Sequence, residues 1–164
     1  MKAATALLAL SLAAVASAMA SGGGQRDDDE RGRAAALDPT YVEECGACHV
    51  AYPPELLSRD SWTAVVGQLG RHFGVDASLD TAVAAEINAY LQAQAGVYAT
   101  DNSEGQPLLR ITETDWFRHA HRPGEDGLYR GVFDSEAVRS PSNCGACHLG
   151  AARGRYGEDE IRIP

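Results

Sequence analysis

Residues 45–49 read Cys-Gly-Ala-Cys-His, and residues 144–148 read Cys-Gly-Ala-Cys-His again. Two thiols a turn apart can add across the two vinyl groups of one porphyrin, and the adjacent histidine then lies under the iron and donates its Nε2. C-x-x-C-H is for that reason the signature of c-type haem attachment. Glycine and alanine between the cysteines keep side chains off the macrocycle. The repeat predicts two covalent haem c groups, one on Cys45 and Cys48 with His49 proximal, the other on Cys144 and Cys147 with His148 proximal. Rival readings fit less well. A redox C-x-x-C would sit beside a βαβ pattern and needs no trailing histidine. A four-cysteine zinc site would hold its two knuckles much closer along the chain.

Composition agrees with a chain built around a prosthetic group. At 164 residues there is room for one domain or two small lobes, which excludes a large multi-domain enzyme. A formal charge of −9 argues against a nucleic-acid binder, which would show a basic patch or stripe. Aromatics make up only 7%, thin for a core that must fill itself, and a bound macrocycle would supply the missing apolar bulk.

The N-terminus reads as an export signal over 1–20. Met1-Lys2 is a short positive start, Ala6 to Val15 an apolar run too short to span a bilayer, and Ala16-Ser17-Ala18 and Ala18-Met19-Ala20 are overlapping small-residue cleavage signals. Cleavage removes Met1, and Met19 either leaves with it or stays at the new terminus. These are the two methionines of the sequence. The folded body therefore has no methionine to offer a haem iron.

Of five histidines, two belong to the motifs, which leaves His72, His119 and His121 for the two sixth positions. His72 falls near the apolar stripe of a helix expected over Trp62 to Phe73, capped by Asp60-Ser61. A short helix is expected over Asp115 to Arg122, with Thr112 and Asp115 as its capping pair and Pro123 as its stop. At about 100° per residue, His121 borders the side of Phe117, Ala120 and Trp116. His119 groups with Asp115, Arg118 and Arg122. The wheel thus favours His121 as ligand and keeps His119 as its substitute. Proximity in sequence favours His72 with His49 and His121 with His148, although ligands can cross between lobes.

The rest of the chain reads as helices joined by long loops. Residues 21–36 are Gly-rich and then charged, a disordered lead-in. Pro53-Pro54 stops any helix after the first motif. Ser78 or Asp80 caps a helix running to about Ala95, with Val83, Ile87, Tyr90, Leu91 and Ala95 as its buried stripe. The polar loop from Gly96 to Pro107 separates a first haem lobe, 37–106, from a second, 107–164. No alternating strand pattern is convincing, so the fold class is mainly α, a small two-lobe arrangement.

The runs CGACHVAYPP, SWTAVVGQLGRHFG, SLDTAVAAEINAYL, RITETDWFRHAHR and SNCGACH, with the closing IRIP, resemble the small exported dihaem cytochromes c. The likeness covers nearly everything after Leu37. It implies bis-histidine haems, with His49 and His148 proximal, His72 and His121 distal, and no role for His119. It also implies a first lobe similar to a single-haem class I cytochrome c. The function it implies is electron transfer, in the company of a high-spin, oxygen-binding monohaem cytochrome and a membrane cytochrome b.

With both axial positions filled, only transfer through the haem edge remains, so the expectation is a periplasmic electron carrier and not an enzyme. Its partner would be another redox protein, steered by the acidic body. Arg59, Arg71 and Arg110 are candidates to pair with haem propionates. The alternative is a small dihaem enzyme, of peroxidase or nitrogen-oxide type, or a gas sensor. Either would need one open iron.

Overall fold

The computed structural model describes residues 36–164. The expected export signal, 1–20, and all but the last residue of the expected lead-in, 21–36, lie outside them. The described chain is helical, with isolated bridges but no strand. None of its helices is long and apolar enough to cross a membrane.

Helix α1, Pro39–Cys45, delivers the first cysteine. Asp38 caps it by accepting from the Tyr41 amide at 3.0 Å, and Pro39 opens it with its fixed φ. Tyr41 is the one buried residue of this helix. Helix α2, Arg59–Val66, starts earlier and ends sooner than the expected 62–73 run. Its cap is Ser58, not Asp60-Ser61: the Ser58 hydroxyl accepts from the Ser61 amide at 3.3 Å. Gly67 closes it, and the chain turns through a tight 3-10 segment at Leu69–Arg71 that leaves His72 outside any helix. Two glycines three residues apart, each costing about 1 kcal/mol in a helix interior, account for the early stop.

Helix α3, Thr81–Gln94, is capped by Asp80, which accepts from the Ala82 amide at 2.8 Å. Its Ile87 and Leu91 are buried against α2 and α1. The chain leaves at Gly96, whose amide donates to the Leu57 carbonyl at 2.9 Å. A Cβ there would lie 2.5 Å from the Glu55 carbonyl oxygen, so only glycine lets the backbones approach. Helix α4, Asp115–Ala120, is capped by Thr114 and not by the expected Thr112. The Thr114 Oγ1 accepts from the Phe117 amide at 3.1 Å. It stops short of Arg122 because Arg122 precedes Pro123 and is disfavoured in helical conformation. His121 becomes the residue that ends it.

Two apolar clusters hold these pieces. Tyr41, Ala51, Leu57, Trp62, Val65, Ile87 and Leu91 form the first, with Leu109 and Ile111 packed against it. Leu128, Val132, Val138 and Cys147 form the second, with Phe133, Ala146 and Ile163 around it. The second is built from tight turns in place of helices, so the C-terminal segment supplies its frame. Arg162 donates from its amide to the Cys147 carbonyl at 2.8 Å and Leu149 to the Glu160 carbonyl at 3.2 Å. The closing IRIP run thereby bridges His148 through Ile161.

Candidate functional site

One continuous cavity of about 1090 Å³ runs between the two apolar clusters. All four cysteines line it, together with His49, His72, His121 and His148. Leu57, Ile87 and Leu91 wall one part, and Leu128, Val138 and Ile163 another. His119 is exposed on the outer side of α4, its Nδ1 3.3 Å from the Arg122 guanidinium, and does not line the cavity.

The four imidazoles form two facing pairs. The His49 and His72 ring centres lie 6.2 Å apart with planes 26° from parallel. Those of His121 and His148 lie 6.1 Å apart with planes at 67°. A metal–imidazole bond of about 2.0–2.1 Å puts the ring centre about 3.2 Å from the metal, so two rings trans across one ion stand about 6.4 Å apart. Both pairs match that spacing, and each has a C-x-x-C on its proximal side. The donor set therefore fits two iron porphyrins, each held between two histidines.

Local structure sets the ring orientations. His49 Nδ1 donates to the Val50 carbonyl at 2.8 Å and His121 Nδ1 to the Phe117 carbonyl at 3.0 Å, which leaves Nε2 of each as the donor atom. His121 is also stacked on Phe117, with ring centres 4.0 Å apart and planes at 15°. His148 has no such support: its Nδ1 is buried without a partner, with Tyr156 at 5.2 Å between ring centres. His72 leads into Phe73, a non-glycine residue at φ 49°. Burial holds the pKa of His72, His121 and His148 below the ordinary histidine value, aided at His72 by the nearby His49 and Arg110 and at His148 by His121. Each ring is kept in the neutral form that binds metal.

The thiols point away from redox chemistry. Burial pushes Cys45 and Cys144 up to about 11, the reverse of a C-x-x-C redox pair, where the attacking thiol is lowered. No disulfide joins any of the four. Of the candidate propionate partners, Arg110 lines the cavity, its guanidinium 3.9 Å above the Phe73 ring and 3.7 Å from Glu113. Arg59 does not line it, and Arg71 lines only a small neighbouring hollow.

Several lining residues carried no signal in the sequence. Tyr52 stacks on His49 with ring centres 4.7 Å apart and planes at 17°. Tyr156 sits against His148, and Arg155 is ion-paired with Glu160 at the cavity edge. An aromatic next to a motif could have been flagged for Tyr52, but nothing local marks Tyr156 or Arg155.

Comparison with known proteins bears directly on this geometry. Residues 41–156 match the family model "Dihaem cytochrome c". None of the curated proteins matches. Among solved structures, a crystal structure of DHC purified from Rhodobacter sphaeroides is 44% identical with a TM-score of 0.62, covering 75% of this chain and 100% of that one. A diheme cytochrome c from the same organism is 41% identical with a TM-score of 0.64, covering 74% and 100%. The diheme cytochrome sb-DHC from Shewanella baltica OS155 is 39% identical with a TM-score of 0.63, covering 77% and 92%. With two C-x-x-C-H segments on one cavity and these likenesses, the chain belongs to the dihaem cytochrome c family and holds two haem c groups.

Proposed function

We propose that this protein is an exported electron carrier in which Cys45 and Cys48 anchor one haem between His49 and His72, and Cys144 and Cys147 anchor the other between His148 and His121. The observation that carries this reading is the pair of facing imidazoles, at 6.2 Å and 6.1 Å, on one cavity with all four cysteines. Each haem supplies a one-electron iron couple, lowered in potential by histidine in place of methionine. The residues do the rest. The four imidazoles would occupy both sides of both metal positions and leave no face for substrate. The apolar walls keep water from the macrocycles, and Arg110 is placed to meet a propionate.

An export signal over 1–20 supports a periplasmic location, since c-type haem is attached outside the cytoplasm. A formal charge of −9 supports a redox partner with a basic docking face, such as a monohaem cytochrome or a membrane cytochrome b. Visible spectra of the matured protein, oxidised and reduced, with and without carbon monoxide, test the core of the reading. Two low-spin haems indifferent to carbon monoxide are expected. A high-spin band or a carbon monoxide shift in the wild-type protein would move the assignment to an enzyme or a gas sensor.

A further inference from the structure

One side chain touches both haem sites. The Tyr52 ring lies flat against His49, and its hydroxyl donates to the Ser142 carbonyl at 2.9 Å, 90 residues further on and two before Cys144. Every other side-chain hydrogen bond among the described residues joins positions at most 43 apart. Tyr52 is over-determined for this role. Pro53 restricts its backbone to extended conformation, and the buried Tyr41 hydroxyl donates to its carbonyl at 2.8 Å. The acceptor is fixed as well. Ser142 sits in a turn where the Asn143 amide donates to the Ser140 carbonyl at 3.0 Å and the Asn143 side chain to the Val138 carbonyl at 3.0 Å. The His148 amide then donates to the Cys144 carbonyl at 2.8 Å, so the turn is continuous with the second motif.

We propose that Tyr52 is a positioning residue that couples the two haem sites, its ring setting the plane of His49 and its hydroxyl locking that plane to the backbone entering Cys144. This rests on the bis-histidine reading above. In the exchange it supports, one electron leaves one haem and arrives at the other. No bond is made or broken and no proton moves, and the tyrosine is a fixed spacer that is not itself oxidised. Without the hydroxyl, the ring would still stack, but the two sites would be free to shift against each other.

The test uses the matured dihaem protein and compares wild type, Tyr52→Phe, Tyr52→Leu and Tyr98→Phe. Tyr98 is the control, since its hydroxyl donates to the Glu55 carbonyl at 3.1 Å in an exposed position. Haem-to-haem electron exchange is followed after partial photoreduction, with the low-spin electron paramagnetic resonance spectrum of each protein recorded alongside. In Tyr52→Phe, exchange is expected to slow about fivefold, the population change that one net hydrogen bond represents, with both low-spin signals in place. In Tyr52→Leu, the signal of the His49/His72 haem should also shift while that of the other haem stays. Wild-type exchange in Tyr52→Phe would overturn the proposal, and so would an equal slowing in Tyr98→Phe. Failure of the bis-histidine reading looks different, because a high-spin haem would already be present in the wild-type spectrum.

Discussion

The planes of the His121 and His148 rings cross at 67°, with Phe117 stacked on His121. The His49 and His72 planes lie only 26° apart. Ligand-field anisotropy of low-spin ferric haem grows as the two axial imidazole planes approach the perpendicular. The oxidised protein should therefore give two distinct electron paramagnetic resonance signals: a rhombic one from the first site and a more anisotropic one from the second. Two superimposable signals would contradict this arrangement.

The histidine variants separate the three non-motif candidates. His72→Ala and His121→Ala should each open one iron, adding a high-spin band and binding one carbon monoxide per protein. His119→Ala should leave the spectrum as it is, because His119 is exposed beside Arg122. A carbon monoxide shift in His119→Ala that matched His121→Ala would reverse the assignment.

The two CGACH segments are identical in sequence but not in surroundings. A Cβ on Gly46 would collide with the Val42 carbonyl oxygen, where α1 runs into the motif, whereas a Cβ on Gly145 meets nothing within 4 Å. Gly46→Ala should cost about 1–3 kcal/mol, and Gly145→Ala, whose Cβ meets no protein atom, should cost less. Denaturant unfolding of both variants checks the difference, and equal midpoints would refute it.

Alkaline stability follows from buried phenols. Burial raises Tyr41, Tyr52 and Tyr156 above the ordinary value of 10.0, with Tyr52 reaching about 12. A raised pKa means the folded chain holds these protons longer than the unfolded one. The stabilisation is complete below pH 10 and falls as pH rises through the folded values. Midpoints measured from pH 9 upward should drop steeply for wild type and less steeply for Tyr41→Phe. At neutral pH that variant should be weaker by about 1–3 kcal/mol, since the Tyr52 carbonyl loses its donor. Parallel pH profiles for the two proteins would count against the buried phenol.

What the sequence revealed was whatever is local. The repeated motif named its own chemistry, and helical spacing around Ile87 and Leu91 located α3. The helix before His72 was overdrawn because its apolar spacing continues past Gly67, while the glycines that end it act through backbone freedom and leave no mark on periodicity. Thr114 was missed as a cap because Thr112, two residues earlier, offers the same hydroxyl, and only the backbone decides between them. Tyr156, and the role of Tyr52 beyond its place beside the first motif, were out of reach for another reason. Their significance lies in contacts to His49, Ser142 and His148, and spacing along a chain says nothing of what a fold brings together.

The single cavity has a consequence for biogenesis. Tyr52 and Tyr156 line it along with both C-x-x-C-H segments, so the two insertions share a wall. A chain that receives only one of its two cofactors would leave part of that shared wall unfilled beside the other.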